Sequence, residues 1–180
     1  MSPTATAIPA GIYKTDGVHS TAGFAVKHMI VSTFRGRFDE YDATLNVGED
    51  GSLALTGSAP VGSLAIKDEN LAAHVLGPEF FDVENHPTIE FRSTDVRADG
   101  ETLTVAGELT VRGQTEPVTA NGTISEAAEG FAGTTVAITL ETIIDRTKFG
   151  LSWNASLPKG GVALANEVRL TTDLEFTKQA

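Results

Sequence analysis

Two histidines near the N-terminus are the first residues whose types could do chemistry. His19 follows Asp16 by three residues and directly precedes Ser20, so this stretch holds the three residue types of a nucleophilic relay. A relay is defined by geometry, however, and neighbours within one turn point in different directions. The spacing favours a turn in which Asp16 and Ser20 bond to the backbone and His19 holds the loop.

His28 ends the stretch HSTAGFAVKHM, which alternates as a β-strand does. Phe24, Val26 and His28 share one face of that strand, so a histidine lies on an apolar face. Two interpretations stay open: a polar contact for a ligand headgroup at the mouth of a cavity, or a buried histidine bonded to a backbone carbonyl. We predict that His28 faces the interior near one end and is not a catalytic base, since no carboxylate is near it in sequence.

A second candidate is the stretch IDRTKFGLSW, where Arg146 and Lys148 stand beside Phe149 and Trp153. Arginine grips phosphate or carbonyl oxygens bidentately, so Arg146 could contact a pyrophosphate or a quinone carbonyl at an apolar mouth. The alternative is that Arg146 pairs with a carboxylate and holds the loop together. The sequence has no phosphate-binding loop and no GxGxxG motif, and we predict no cofactor.

The other two histidines, His74 and His86, fall in a predicted helix and a loop. The four histidines show no His-x-His or His-x-x-x-His spacing, so no metal site is predicted. The chain has no cysteine, which excludes disulfides and thiolate chemistry.

Charge and hydropathy narrow the classes of function. The 180-residue chain has a net charge of −11, which argues against nucleic acid and against an anionic membrane surface as partners. No apolar run approaches the ~18 residues of a membrane-spanning helix. The first eleven residues lack the basic and apolar regions of a signal peptide, so we expect a cytoplasmic protein.

The elements that must position these residues are mostly strands. Period-two alternation runs through the chain and predicts eight or nine strands joined by tight turns, typical of an up-and-down antiparallel barrel or a sandwich. One segment, DENLAAHVLGPEFFD, predicts a helix capped by Asp68, with Leu71 and Val75 on one face and an end at Gly77. After it, Phe80 and Phe81 predict one core residue and one cavity-wall residue, and we take Phe81 as the candidate wall residue.

Small residues at inward positions suggest a partly hollow interior. Gly107, Ala120, Gly122 and Thr172 fall on predicted inward faces of strands that are roughly 33 Å long. An eight-stranded barrel can fill its interior with side chains or hold one ligand. Further cavity-lining candidates share the inward parity: Phe91, Val105, Leu109, Val136, Ile138, Leu170 and Leu174.

Several blocks, taken in order, resemble the YceI-like family of polyisoprenoid-binding, lipocalin-like proteins. They are DGVHSTAGFAVKHM, FRGRFDEYDATL, FFDVENHPTIEFRST, GELTVRGQTEPV and IDRTKFGLSW. The resemblance implies an all-β fold, an eight-stranded antiparallel lipocalin-like barrel with one short helical segment packed against it. It also implies an isoprenoid lipid or isoprenoid quinone as partner and a possible homodimer, and many relatives are exported.

Three hypotheses follow. The first is a carrier that holds a long isoprenoid in the barrel, within a single domain over residues 11–178 that follows a flexible segment over residues 1–10. The second is an enzyme that acts on an isoprenoid-like substrate in the same cavity, with His28 or His19 as acid–base. The third is a stress-linked structural protein with a filled core.

Overall fold

A computed structural model describes residues 7–180, and this part of the chain is built mainly of antiparallel strands. One α-helix, α1 (Glu69–Leu76), and two short 3-10 helices (Val61–Ser63 and Arg146–Phe149) accompany the strands. The strands are β1 (Gly11–Thr15), β2 (Thr21–His28), β3 (Ser32–Phe38), β4 (Asp42–Val47), β5 (Leu53–Pro60), β6 (Leu64–Ala65), β7 (Thr88–Asp99), β8 (Thr102–Val111), β9 (Gln114–Ile124), β10 (Ala128–Gly130), β11 (Gly133–Asp145) and β12 (Leu164–Lys178).

Eight of these strands close into a ring. Its order is β12–β1–β4–β5–β7–β8–β9–β11, and every neighbouring pair is antiparallel. The two longest strands close it, since β11 and β12 pair from Thr135↔Thr177 to Asp145↔Glu167. The predicted eight-stranded barrel is therefore confirmed, and the sandwich is not what forms.

The edge of β12 opposite β11 is shared between two strands. β1 pairs with its last residues, Phe176–Lys178, while β2 pairs along Leu164–Asp173. β3 pairs with β2, and β6 pairs with β3. Next to β12, the wall at one end of the barrel is therefore formed by β1 and β4, and the wall at the other end by β2, β3 and β6. This arrangement brings His28, at the end of β2, to the opposite end of the barrel from the β1–β2 turn.

The helix begins and ends where its sequence predicts. The Asp68 carboxylate accepts a hydrogen bond of 2.8 Å from the backbone N–H of Leu71, which satisfies one of the donors left over at a helix start. Gly77 follows the last residue, and its N–H bonds to the carbonyl of His74. α1 lies across the barrel end that β2 and β3 form.

Two clusters of buried side chains fill the two ends of the barrel. The closed-end cluster contains Tyr13, Leu45, Leu103 and Phe176, each fully buried. The helix-side cluster packs beneath α1 and consists of Val61, Leu64, Phe80, Phe81, Leu109, Val111, Phe149 and Leu151.

The end of the predicted flexible segment packs onto the closed end. Ile8 is only 6% exposed and belongs to the closed-end cluster, and the hydroxyl of Tyr13 donates to the carbonyl of Pro9 at 2.7 Å. Residues 1–6 of that predicted segment lie outside the described residues. The barrel domain therefore begins before residue 11, because an apolar side chain at position 8 completes its core.

Candidate ligand-binding cavity

A cavity of about 580 Å³ lies between the two clusters, and its wall is almost entirely apolar. This volume is in the range of small-molecule binding sites. Ten of the fourteen predicted site residues line it: Phe24, Val26, His28, Phe81, Phe91, Leu109, Arg146, Trp153, Leu170 and Leu174.

Glycines beside two phenylalanine rings create part of the space. A Cβ atom on Gly36 would lie 2.4 Å from Cζ of Phe24, and one on Gly107 would lie 2.6 Å from Cζ of Phe91. Each ring therefore lies against the backbone of the neighbouring strand instead of extending across the barrel. Ala120 and Thr172 also line the wall, as their parity predicts.

Gly122 has a different role from the one predicted. A Cβ atom there would lie 1.7 Å from the carbonyl oxygen of Thr139 on the neighbouring strand. The glycine thus permits a close approach of β9 to β11 and adds no room to the cavity.

Four predicted site residues lie away from the cavity wall, and here the structure corrects the prediction. Val105, Val136 and Ile138, each 1% exposed, lie in the closed-end cluster, and Phe149 is buried in the helix-side cluster. They face inward as predicted, but at levels where other side chains fill the barrel. Parity along a strand sets the face of a residue and says nothing about its depth along the barrel axis.

One face of α1 forms part of the cavity wall. Leu71, His74 and Val75 all line the cavity, at the i, i+3, i+4 spacing of one helical face. His74 stands edge-on to Trp153 with ring centroids 4.6 Å apart, and Phe80 lies 6.0 Å from Trp153. Phe80 and Phe81 are both buried and both on the wall, so the predicted division into one core and one wall residue is not found.

Arg146 holds the loop that follows β11. Its guanidinium, in a residue 3% exposed, donates to four backbone carbonyls: those of Ala165 at 2.8 Å, Trp153 at 2.9 Å, Leu164 at 3.5 Å, and Leu151. Burial lowers the pKa of Arg146. Arg146 therefore holds the loop together, as one of the two interpretations predicted, but it bonds to carbonyls and not to a carboxylate. These bonds leave the guanidinium few donors for a ligand. Lys148 is exposed.

Three buried polar atoms on the cavity wall have no hydrogen-bond partner within residues 7–180. They are the Tyr41 hydroxyl, Nε2 of His74 and the Thr172 hydroxyl. Burial raises the pKa of Tyr41, so its hydroxyl stays neutral. Unpaired polar atoms in an apolar wall are costly for the empty protein and can be satisfied by polar atoms of a ligand. Neither Tyr41 nor His74 was predicted to line the cavity, although strand parity and helical spacing place both on inward faces.

His28 lies where the wall reaches solvent. The cavity opens to solvent on the side of α1, and we call this opening the mouth. Its exposed lining residues are His28, Met29, Leu71 and Ala155. The prediction that His28 shares the inward face of Phe24 and Val26 near one end is confirmed. The buried interpretation is wrong, because the side chain is exposed.

The first histidine candidate lies at the far end of β2. Nδ1 of His19 is 2.7 Å from Oδ2 of Asp16, and Oδ1 of Asp16 accepts from the N–H of Val18. The Ser20 hydroxyl accepts from the N–H of Glu175, so it faces backbone and the predicted turn is observed. The bond to His19 lowers the pKa of Asp16, and the Asp16 partner raises that of His19.

Folding adds Glu175 to this pair. Ligand atoms of Asp16, His19 and Glu175 lie within 4.8 Å of one another, a grouping that histidine spacing along the chain did not reveal. All three side chains are at least partly exposed and none lies on the cavity wall. In residues 7–180, no helix is both long and apolar enough to cross a bilayer.

Comparisons with known proteins agree with this architecture. A UPF0312 protein of Staphylococcus aureus (strain bovine RF122 / ET3-1) is 29% identical over 168 residues, covering 90% of this chain and 95% of the relative. BcnA of Burkholderia cenocepacia superposes with a TM-score of 0.74 at 23% identity, over 89% of this chain and 98% of its own. A polyisoprenoid-binding domain from Saccharophagus degradans, implicated in plant cell wall breakdown, superposes at 0.71 with 10% identity, over 95% of this chain and 100% of its own.

The family profile described as YceI-like domain matches residues 13–176, from the first barrel strand to the last. That span contains the ring of eight strands, the helix across its end and the cavity between them. The chain belongs to the YceI-like family.

Proposed function

We propose that the barrel holds a long isoprenoid chain in its interior. The observation that carries this proposal is the cavity of about 580 Å³ with an aliphatic and phenylalanine wall. Burial of a hydrocarbon chain against such a wall provides the driving force, about 25 cal/mol per Å² before the losses to ordering. The structural similarity to a domain described as polyisoprenoid-binding supports this ligand class.

The polar groups of the wall favour an uncharged headgroup, such as that of an isoprenoid quinone. Arg146 directs its guanidinium donors to backbone carbonyls, so it offers little to a phosphate. The Tyr41 and Thr172 hydroxyls are neutral and have no hydrogen-bond partner in the described part of the chain, and a quinone carbonyl accepts hydrogen bonds from such groups. A phosphate that lost its water there without a cation would carry a large desolvation cost.

The test uses one small residue on the wall and the same residue on the outer face. Ala120 is buried on the cavity wall, whereas Ala137 is exposed on the outside of β11. Ala120→Leu extends a larger side chain into the cavity and should exclude the ligand, while Ala137→Leu should not. Trp153 is the one tryptophan of the chain and lies on the wall, so its fluorescence reports occupancy.

We expect a long-chain ubiquinone, delivered from detergent micelles, to quench Trp153 in the parent and in Ala137→Leu and to quench it much less in Ala120→Leu. The polyprenyl phosphate of matched chain length should bind more weakly than the quinone. Mass spectrometry of an organic extract of the purified protein should find an isoprenoid. Equal quenching of both variants, or none in the parent, would overturn the proposal.

A further inference from the structure

Exposed apolar side chains surround the mouth of the cavity. Met29 is 42% exposed, Ile30 64% and Val31 85%, and together they form the tip of the hairpin between β2 and β3. Leu71 of α1 and Val162 of the loop before β12 complete this group, which we call the rim. Exposed apolar side chains that are contiguous around an opening mark an interaction surface more often than scattered ones do.

The hairpin tip and the loop are joined to each other. The N–H of Met29 donates to the carbonyl of Ala163 at 2.8 Å. The Cδ1 atom of Ile30 lies so close to Gly161 that a Cβ atom on the glycine would approach it to 2.8 Å. The hydrogen bond and the side-chain contact therefore hold the hairpin tip against the loop before β12.

The turn between β2 and β3 contains residues that do not suit its backbone conformation. Met29 and Ile30 both have positive φ angles, 52° and 69°. Backbone positions with positive φ favour Gly and Asn, and a β-branched residue such as isoleucine is strained there. The chain thus carries exposed apolar side chains at positions where polar residues or glycine would cost less.

Two of the three segments that contribute to the rim differ in charge from the rest of this acidic protein, and the third is α1, which has Asp68 and Glu69 at its start. Residues 17–38 and 146–166 contain no aspartate or glutamate. Lys27, Arg35 and Lys159 are exposed in these segments, and within residues 7–180 none of them has a carboxylate at ion-pair distance. At physiological ionic strength charges are screened beyond about 8 Å, so carboxylates farther than that from Lys27, Arg35 and Lys159 offset their charge little.

We propose that the rim inserts into the surface of an anionic lipid bilayer, so that ligand passes between the bilayer and the cavity through the mouth. The inference rests on the proposed function, since isoprenoids reside in bilayers. The apolar tip would enter the acyl boundary while Lys27, Arg35 and Lys159 meet lipid phosphates. Asp68 and Glu69 lie at the start of α1, so the hairpin and the loop provide the positive charges and α1 adds only the apolar Leu71.

A second copy of the chain fits this surface less well. Symmetric dimers bury the same patch on both subunits. Such a contact would bring Lys27, Arg35 and Lys159 of each copy towards one another, with no carboxylate in the two rim segments to offset them. A bilayer rich in phosphate offers the opposite charge.

The chain provides a matched pair of variants for the test. Val31 and Val18 are both 85% exposed but lie at opposite ends of β2. Val31→Ser combined with Ile30→Gly removes the two most exposed apolar side chains of the tip and relieves the backbone strain at position 30, so the variant should remain folded. Val18→Ser is the control.

The measurement is co-sedimentation with vesicles of phosphatidylcholine containing phosphatidylglycerol. The parent and Val18→Ser should have equal partition coefficients. The partition coefficient of the rim variant should be lower by about tenfold or more, because loss of one buried aliphatic side chain already predicts a change of this size. Lys27→Gln with Arg35→Gln should weaken binding to these vesicles and not to phosphatidylcholine alone.

Quinone delivered from detergent separates this inference from the proposed function. The rim variant should still show quenching of Trp153 with detergent-delivered quinone, while uptake from vesicles becomes slow. Equal partitioning of the rim variant and Val18→Ser would overturn the membrane inference and leave the carrier proposal standing. The same conclusion would follow if the parent sediments as a dimer that does not bind vesicles and the rim variant sediments as a monomer. Absence of quenching from detergent in the parent would overturn both.

Discussion

At the scale of single residues, Arg146 shows how a buried charge can serve structure. Four backbone carbonyls from two segments converge on one guanidinium, so its charge is solvated by peptide dipoles in place of water. Two of those carbonyls belong to Leu151 and Trp153, which both line the cavity. The arginine therefore fixes part of the wall without offering its charge to the ligand.

We predict that Arg146→Lys destabilises the protein by about 2–4 kcal/mol, because an ammonium cannot reach carbonyls in four directions and leaves buried acceptors unpaired. Urea unfolding followed by Trp153 fluorescence measures the change. The neighbouring exposed cation gives a control, since Lys148→Gln should stay within about 0.5 kcal/mol of the parent. Similar losses in the two variants would contradict the holding role.

The pair of His19 and Asp16 predicts a pH dependence. The pKa of His19 is raised from its ordinary value of 6.5, first by the hydrogen bond to Asp16, so its contribution to stability is present below pH 6.5 and is lost as pH rises through the folded-state pKa. The pKa of Asp16 is lowered from 3.8, so the contribution disappears again as pH falls through that lowered value.

NMR titration of the His19 ring measures this directly. The midpoint should lie above 6.5 in the parent and fall in Asp16→Asn. Glu175→Gln should lower it less, because Glu175 acts only through its charge. A midpoint that does not change in Asp16→Asn would show that Asp16 is not the cause of the raised pKa of His19.

At the scale of elements, the cavity depends on which strand positions carry glycine. Gly36 of β3 lies opposite Phe24 of β2, and the phenylalanine ring covers it. The space that a side chain would normally occupy is thereby used by a ring from the neighbouring strand. Two strands together, and not one alone, decide how far Phe24 reaches into the barrel.

Gly36→Ala should push the Phe24 ring into the cavity and weaken ligand binding several-fold, at a stability cost of roughly 0.5–1.5 kcal/mol for an off-rotamer ring. A crystal structure of the variant and quinone quenching of Trp153 test this. Gly62→Ala is the control, because a Cβ atom there would meet no other atom of residues 7–180 within 4 Å, its chain neighbours aside. Undiminished quinone binding by Gly36→Ala would show that the cavity has room for the displaced ring.

At the scale of the whole molecule, the cavity lies between the closed-end cluster and the helix-side cluster. The terminal segments meet at the closed end, where Ile8 and Phe176 belong to the same cluster. The helix, the mouth and the rim lie at the other end, away from that core. Stability and binding are thus separated along the barrel axis, so wall variants such as Ala120→Leu can alter binding while the closed-end cluster remains intact.

The sequence by itself determined the local features of this protein. Alternation of apolar residues predicted the strands and the inward face that Phe24, Val26 and His28 share, because side-chain direction in a strand depends only on its own parity. Asp68 and Gly77 predicted the helix bounds, because capping is completed within one turn. The family resemblance then selected a barrel over a sandwich.

Only the tertiary structure decided what depends on partners distant in sequence. Strand register set the depth that separates Val136, in the core, from Leu170, on the wall. It also brought carbonyls of the segment after β11 and the start of β12 to Arg146, β11 against Gly122, and Glu175 beside His19. These are long-range pairings, and a period of two residues carries no information about which strand lies opposite or how far along the barrel a residue stands.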